Sequence, residues 1–261
     1  MKQQRKQKVK TKAEPSKRAT IIKGIAIFAF WLVVWQLASM YIGYDILLVP
    51  PHKVALALVQ LVQQTDFWIA VSTSLYRIML GYLFAVALGC LLALLGTRFT
   101  LLHQVLYPLL SVIKATPVAS FIILALIWIK SAYLSAFIAF MMVLPMIYSN
   151  LYIGLQNIDP KLLEVAQVFR FSKGSILRNI YLPSLKPYLL SACTVSLGFA
   201  WKSGVAAEVI GLPNDTIGNY LYYAKVHFNM AELFAWTVVI VLLSVLVEKV
   251  LVSLLKLLER R

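Results

Sequence analysis

Charged residues are scarce in this chain, and acidic residues are the scarcest of them. Its 261 residues include 25 Lys and Arg but only 10 Asp and Glu, and charged residues amount to 13% of the total. A typical soluble domain has about 25% charged residues. Here 61% of the residues are hydrophobic. The composition therefore excludes an ordinary soluble domain and is typical of a protein that crosses a membrane several times.

Cysteine and histidine are also rare, and their positions do not favour the sites that these residues usually build. Cys90 and Cys193 both lie inside apolar blocks without metal-ligand spacing, so we interpret them as small buried hydrophobic side chains rather than as a disulfide pair. The three histidines, His52, His103 and His227, lie far apart near the ends of apolar blocks. We predict no metal site from them.

Catalytic motifs are missing as well. The chain has no G-x-x-x-x-G-K-[ST] phosphate loop, so it does not bind ATP in that way, and we predict no cofactor. Trp201-Lys202-Ser203-Gly204 matches the G-x-S-G motif of membrane serine proteases only in its last two residues, and no histidine lies in mid-span to act as a base. The sequence therefore indicates a protein that is not an enzyme.

Long apolar blocks follow one another with short connections. A helix needs about 20 apolar residues to cross the hydrocarbon core of a membrane. Six blocks meet this requirement, at about 21–42, 78–96, 105–129, 134–156, 187–210 and 233–255. We predict an all-α polytopic membrane protein with six transmembrane helices, made of a basic tail over residues 1–20 and a membrane domain over 21–258. The third block contains Pro108, Lys114 and Pro117, which predict a kinked or broken helix.

The formal charge of +15 is distributed unevenly along the chain. On the six-span topology, nineteen Lys and Arg lie in segments on one side of the membrane and four lie on the other. Cytoplasmic segments carry such an excess of Lys and Arg, so both termini and the segment 157–186 are predicted to be cytoplasmic. Nine of the cations lie in residues 1–23, where we expect contact with anionic membrane lipid rather than with nucleic acid.

The cytoplasmic segment contains a polar helix that spanning the membrane does not require. Asp159 is a good N-cap, and Pro160 suits the first helical position. An apolar stripe follows at helical spacing, formed by Leu162, Leu163, Ala166, Val168 and Phe169 and interleaved with Lys161, Glu164, Gln167 and Arg170. Ser172, Lys173 and Gly174 end the run. A helix of this kind on the water side of a membrane protein presents a surface to a partner.

The same segment resembles the cytoplasmic loop of ATP-binding-cassette (ABC) importer permeases. Their pattern is Glu-Ala-Ala, three residues, Gly, nine residues and Ile-x-Leu-Pro. This chain has Glu164-Val165-Ala166 and Ile180-Tyr181-Leu182-Pro183 at the correct separation. Val165 replaces an alanine of the pattern, and Arg170 replaces the glycine. Because that glycine lets the chain turn between two short helices, we expect Gly174 to take over part of its role.

Three further stretches extend the resemblance to the nitrate, sulfonate and taurine group of these permeases, over roughly residues 48–258. They are Leu48-Val49-Pro50-Pro51, Ser74-Leu75-Tyr76-Arg77 followed by Gly81 and Gly89, and Phe199-Ala200-Trp201 with Glu208 and Gly211. The resemblance implies the type I ABC importer permease fold and a place in the bacterial inner (plasma) membrane. It also implies a permease homodimer that works with two ABC ATPase subunits and an extracellular or periplasmic substrate-binding protein.

In this family the cytoplasmic loop is a coupling helix that binds a groove on the ATPase subunit. The resemblance places this role on Asp159, Glu164, Ala166, Phe169, Arg170, Phe171, Ser172 and Gly174. Phe169 and Phe171 offer apolar anchors, while Glu164, Arg170 and Lys173 offer charges at the rim. The alternative interpretation is a helix that lies on the inner leaflet.

Charged residues inside the apolar blocks indicate the route of a transported solute. Lys114, Lys202 and Glu208 lie there at a cost of at least about 2.5 kcal/mol each, so we expect them to face a cavity or a partner. We place Lys114, Lys202, Trp201 and Glu208 along the translocation path, with Glu208 near the outer gate, and this suits a small anionic solute. The alternative is that the lysines extend to the membrane surface or form structural ion pairs.

The spacing of the last two charges constrains their partners. Lys202 and Glu208 are roughly 240° apart around one helix, so they do not pair within it. Their partners must lie on other helices or in a second copy of the chain.

Two other classes of protein remain open at this point. An ion-gradient-driven secondary transporter usually has internal repeats and several mid-membrane acids, whereas this chain shows no repeat and one such acid, Glu208. A membrane scaffold without transport does not explain the costly lysines. The identity of the solute also stays open among sulfonates, nitrate, bicarbonate, aromatic acids and thiamine-precursor pyrimidines.

Overall fold

The computed structural model describes residues 17–259, with side-chain surroundings for residues 21–254. This part of the chain is helical and contains no strand. Its helices are α1 (Lys17–Ile42), α2 (Pro51–Val62), α3 (Thr65–Arg98), α4 (Thr100–Ala115), α5 (Val118–Ala125), α6 (Ser131–Gln156), α7 (Pro160–Val168), α8 (Lys173–Ile176), α9 (Leu182–Gly211), α10 (Ile217–Val226) and α11 (Met230–Glu259). A π-helical turn, Leu177–Tyr181, joins α8 to α9. Most of the basic tail over residues 1–20 lies outside the described residues.

Five segments of the described chain are long and apolar enough to cross a membrane. They are α1, α3, α6, the continuous stretch Lys173–Gly211 and α11. The helices α4 and α5 meet at a bend of 105°, and counted together as one broken span they bring the number to six. Residues 17–259 therefore have the all-α, six-span architecture of a polytopic membrane protein.

The break in the third span lies where the sequence predicted it. Thr116 has an extended backbone with φ −74° and ψ 128°, because the ring of Pro117 disfavours a helical residue before it. A new helix, α5, begins directly after Pro117. Pro108 lies inside α4 without ending it.

Two regions differ from the elements expected from the sequence. The second span begins at Thr65 rather than beside Arg77, and Arg77 lies half-buried within α3. An arginine beside an apolar block usually marks a membrane boundary, but Arg77 lies inside the helix and forms no ion pair within the described residues. The region between the predicted fifth and sixth spans contains a further helix, α10, and Thr216 is its N-cap.

The fifth span also starts earlier than expected. Its helix passes through Pro183 and Pro187 without a break. The π-helical turn at Leu177–Tyr181 widens the helix directly before Pro183, so that the proline ring avoids the carbonyl that it would meet in a regular α-helix.

The core of the membrane domain is formed by α3, α6 and α9, which pack side by side. Small residues allow this close approach. A Cβ on Gly81 would lie 2.0 Å from the backbone oxygen of Ala136, and one on Gly204 would lie 2.6 Å from Ile78. In contrast, α1 lies at the edge of the bundle and most of its large apolar side chains are exposed, as in a helix that faces lipid.

Candidate functional site

The segment between α6 and α9 begins as its sequence predicts. The carboxylate of Asp159 accepts a hydrogen bond from the backbone N–H of Lys161 at 2.9 Å, and Pro160 occupies the first helical turn. These residues fix the start of α7, because Asp159 satisfies a free helix amide and Pro160 has no amide to satisfy. The N-cap role of Asp159 is confirmed.

The turn after α7 is made by Arg170. This residue has a φ of +49°. Its N–H donates to the carbonyl of Gln167 at 3.0 Å, and the N–H of Phe171 donates to the carbonyl of Ala166 at 2.9 Å. The two bonds form a Schellman C-cap, in which the left-handed residue is usually glycine. Arg170 therefore adopts the backbone conformation for which the family pattern has glycine.

Gly174 does not take over this role, contrary to the expectation from the sequence. It lies within α8 without a positive φ, and a Cβ added there would meet nothing within 4 Å. The second helix is instead started by Ser172, whose Oγ accepts a hydrogen bond from the N–H of Ser175 at 3.2 Å. The turn needs no glycine at position 174, because the left-handed step has already been made at Arg170.

A small apolar core of its own holds this segment together. Ile158, Ala166 and Ile180 are buried, and Leu163 and Ile176 pack around them. Ala166 is only 1% exposed, so the alanine of the Glu-Val-Ala motif lies at a close contact. This core joins α7 to the residues that lead into α9, and it fixes the whole segment as one folded unit.

The other face of the segment exposes large apolar side chains. Val168 is 78% exposed, Phe169 is 70% exposed and Phe171 is 43% exposed. The rings of Phe169 and Phe171 lie 6.5 Å apart, and the side chains of Glu164 and Lys173 are exposed near them in the chain. We call Val168, Phe169 and Phe171 the coupling patch. An exposed apolar patch with charges nearby is typical of a protein interface.

Lys114 lies in the last turn of α4, directly before the break, and faces a cavity between α4 and α6. The cavity has a volume of about 350 Å³ and is lined by Tyr107, Leu110, Ser111, Lys114, Ala115, Tyr148 and Ser149. The ammonium group of Lys114 donates a hydrogen bond to Ser149 Oγ at 2.6 Å. These lining residues include no Asp or Glu, and Lys114 forms no ion pair within the described residues. The cavity is therefore positively charged.

Sequence reasoning missed the aromatic cluster beside this cavity. His103 Nδ1 lies 2.8 Å from the hydroxyl oxygen of Tyr148, and the rings of His103 and Tyr152 stack with their centroids 3.9 Å apart. Tyr148 and Tyr152 are one helical turn apart on α6, so their spacing placed them on one face. Nothing in the sequence indicated that this face meets His103, which lies 45 residues before Tyr148.

Two of the predicted path residues on α9 have different surroundings. Lys202 is exposed and has no ion-pair partner among the described residues. Trp201 is 1% exposed, and its indole N–H donates to the carbonyl of Ile240 at 3.0 Å. Trp201 therefore packs α9 against α11, and its place along the translocation path stays a prediction.

Glu208 is fully buried and holds the start of α10. Its Oε2 accepts hydrogen bonds from Ser74 Oγ at 2.7 Å and from the N–H of Gly218 at 3.3 Å. Ser74 Oγ in turn accepts from the N–H of Ile217 at 2.9 Å. These partners lie on α3 and α10, in agreement with the expectation that they belong to other helices.

The described residues do not form a metal site. Within 17–259, no three His, Cys, Asp or Glu side chains lie close enough together to hold a metal ion. Cys193 is buried, Cys90 is partly buried, and both are free thiols. They are packing positions in the membrane domain.

The sequence matches a known protein family over more than half of its length. Residues 85–261 match the family described as binding-protein-dependent transport system inner membrane component. A similar protein is the putative aliphatic sulfonates transport permease protein SsuC of Bacillus subtilis, with 26% identity over 94% of this chain and 88% of that protein. The nitrate import permease protein NrtB of Synechococcus elongatus has 27% identity over 71% of this chain and 70% of its own. The taurine transport system permease protein TauC of Escherichia coli has 23% identity over 67% and 66%.

A solved structure has the same fold. It is a bacterial ABC transporter involved in the import of the acidic polysaccharide alginate, with a TM-score of 0.57 and 18% identity over 93% of this chain and 99% of that chain. The fold is therefore that of an ABC importer permease, as the resemblance implied, and an ion-gradient-driven secondary transporter is not favoured. The chain belongs to the family of inner membrane components of binding-protein-dependent transport systems, and it is a transmembrane permease subunit of an ATP-driven importer.

Proposed function

We propose that this permease imports a small anionic solute as a homodimer, and that two ABC ATPase subunits drive it by binding the segment Asp159–Pro183. A substrate-binding protein outside the membrane delivers the solute. The observation that carries the proposal is the coupling patch, which is exposed on a segment fixed by its own apolar core. Such a patch offers anchors for a groove on a partner.

The shape of the segment favours a protein partner over the inner leaflet. A helix that lies on a membrane has an apolar stripe along its whole length. Here the most exposed apolar residues, Val168 and Phe169, lie at the end of α7, and Phe171 lies beyond the turn. Leu162 and Val165 on α7 are also 47% and 49% exposed, but the exposed apolar surface continues past the turn to Phe171. A surface bent in this way fits a groove on a protein partner better than a flat leaflet.

The apolar core of the segment also connects movement of α7 to movement of α9. ATP-driven closure of the two ATPase subunits changes the distance between the two segments that they hold. Because Ile180 packs with Ala166, a displacement of α7 is passed to the residues that lead into α9. Packed helices switch between discrete arrangements rather than deform continuously. The displacement thereby shifts the membrane domain from an outward-facing to an inward-facing state.

The proposed solute class rests on the relatives and on the lysines. The relatives are named as permeases for aliphatic sulfonates, nitrate and taurine, which share a small anionic group. Lys114 faces a cavity, and Lys202 is exposed within a span, so both stay in the proposed path. Glu208 is proposed to set the position of α10 at the outer gate, because it accepts a hydrogen bond from the N–H of Gly218 in the first turn of that helix.

The cation count supports the orientation that this proposal needs. Nineteen Lys and Arg lie on the side of the coupling segment and four lie on the other side. We therefore place both termini and the coupling patch in the cytoplasm of a bacterial cell, where ATP is available.

The experiment that tests the proposal is a mild-detergent pull-down of the chain from its native membranes. We expect a subunit with a phosphate loop to copurify, and we expect Phe169→Asp to abolish its recovery. A carboxylate forced into an apolar groove costs a few kcal/mol, which lowers affinity by more than tenfold.

Phe228→Asp is the matched control. Phe228 is also 70% exposed, but it lies in the turn between α10 and α11, on the proposed outer side. This variant should retain the ATPase. If Phe169→Asp retains the ATPase equally well, the coupling patch is not the binding surface.

A further inference from the structure

We propose that the cavity between α4 and α6 is an oxyanion-binding site, at which Lys114, Ser149 and Tyr107 donate hydrogen bonds to a carboxylate, sulfonate or nitrate group. The proposal rests on the permease function proposed above and names the part of the solute that the membrane domain recognises. It also separates the two lysines of the proposed path, because it assigns the anion site to Lys114 and not to Lys202.

Several hydrogen-bond donors that line the cavity have no acceptor within the described residues. Lys114 has three N–H donors and uses one for Ser149. Ser149 accepts this bond, and within the described residues its own hydroxyl hydrogen has no acceptor. The hydroxyl of Tyr107, which also lines the cavity, has no hydrogen-bond partner in the described chain. An oxyanion supplies the acceptors that these donors lack.

The remaining residues of the lining do not favour a cation. They add Leu110, Ala115, Tyr148 and Ser111, none of which carries a negative charge. The hydroxyl of Ser111 already donates to the carbonyl of Tyr107 at 2.7 Å. The volume of about 350 Å³ is at the lower end of the range for small-molecule sites. The positive charge of the cavity, its free hydrogen-bond donors and its small volume all favour a small anion.

The break between α4 and α5 explains why such a site lies at this point. Irregular backbone inside a membrane occurs where it is buried in protein or lines a water-filled cavity. Lys114 is two residues before the extended Thr116. Discontinuous helices also form the solute sites of many transporters, since their free backbone groups are polar. The cavity adjoins the one span that is broken in the described chain.

The geometry also disfavours a lysine that merely extends to the membrane surface. The ammonium group of Lys114 is held by Ser149, a residue of a neighbouring membrane-spanning helix, at 2.6 Å. Lys202 has no such contact among the described residues, and its side chain is exposed on α9. The two lysines are therefore a natural test pair.

The test measures the charge preference of the cavity directly. Ser111→Cys, in a background with Cys90→Ala and Cys193→Ala, places one thiol in the lining. Its labelling rate is measured with the anionic sulfonatoethyl methanethiosulfonate and with the cationic trimethylammonioethyl methanethiosulfonate. A unit charge a few ångströms away in a wet cavity changes the ratio of the two rates by about tenfold. We expect Lys114→Met to lower the anionic-to-cationic ratio by this factor and Lys202→Met to leave it unchanged.

A second measurement asks whether bound anions protect the thiol from labelling. Millimolar ethanesulfonate or nitrate should slow labelling of Ser111→Cys, and Ser149→Ala together with Lys114→Met should remove this protection. Three outcomes overturn the proposal: a thiol that reacts with neither reagent, a ratio that Lys114→Met does not change, or equal effects of the two lysine variants. Recovery of the ATPase is measured in the same preparations, so that failure of the anion site is distinguished from failure of the coupling proposal.

Discussion

Arg170 has a left-handed backbone that glycine would adopt at lower cost. Its φ is +49°, a conformation that costs a residue with a Cβ about 1 kcal/mol relative to glycine. We expect Arg170→Gly to stabilise the C-cap of α7 by this amount. Because the cap bond joins the N–H of Phe171 to the carbonyl of Ala166, hydrogen exchange at Phe171 should slow about fivefold. Exchange measured by mass spectrometry on peptides that contain Phe171 checks this.

Gly174→Ala separates the strain at Arg170 from a general effect of glycine content. Gly174 is helical, and an added Cβ meets open space, so this variant should leave exchange at Phe171 unchanged. Faster exchange in Arg170→Gly, or slower exchange in Gly174→Ala, would show that the turn is not organised as described.

Single residues could be predicted from the sequence where their partners are close in the chain. The cap at Asp159 binds an amide two residues away, and the pattern around it indicated this. The sequence predicted that the partners of Glu208 lie on other helices. It did not identify Ser74, which is 134 residues away in the chain. The same limit applies to Lys114, whose acceptor Ser149 is 35 residues away. Such pairs are produced by helix packing, which one sequence does not reveal.

At the scale of elements, the start of α10 is held against the bundle by buried hydrogen bonds. Two of its first amides are bound by Ser74 and Glu208, which are both fully buried. Removal of one member of a buried charged network costs about 3 kcal/mol. We expect Glu208→Ala to increase hydrogen exchange at Ile217 and Gly218 by roughly a hundredfold, since 1.4 kcal/mol corresponds to a factor of ten.

Two further variants make this expectation specific. Glu208→Gln keeps an acceptor of the same length, so its effect on α10 should be smaller than that of Glu208→Ala. Glu248→Ala removes an exposed carboxylate on α11, and exchange in α10 should not respond. Equal exchange in Glu208→Ala and the unmodified chain would mean that α10 is held by other contacts.

Elements were predicted where local chemistry determines them. Pro117 breaks the third span through its own ring and its effect on Thr116, so the break could be placed from the sequence. The start of the second span could not, because an arginine beside an apolar block usually marks a membrane boundary, whereas Arg77 lies half-buried inside α3. The helix α10 was missed because its first amides are satisfied by side chains of α3 and α9.

At the scale of the whole molecule, apolar block length predicted the six spans, while the importer fold came from the resemblance around Glu164 and Pro183. The two are independent arguments, and the family match over residues 85–261 agrees with both. The assembly could not be predicted from composition, because the composition of the chain does not show which surfaces bind a second copy or an ATPase. The resemblance indicated Phe169 and Phe171 as apolar anchors, and the structure adds Val168 and shows the three side chains exposed together.

The orientation of the molecule decides whether that patch can meet an ATPase at all. In a cysteine-free background, Val168→Cys places a thiol in the patch, and Asn214→Cys places one in the turn after α9; both positions are exposed. A membrane-impermeant maleimide applied to intact cells should label Asn214→Cys at once and Val168→Cys only after the membrane is opened. The reason is the excess of nineteen Lys and Arg over four on the side of the patch. Labelling of Val168→Cys in intact cells would place the patch outside the cell, away from ATP, and the coupling role would then have to belong to a surface on the opposite side of the membrane.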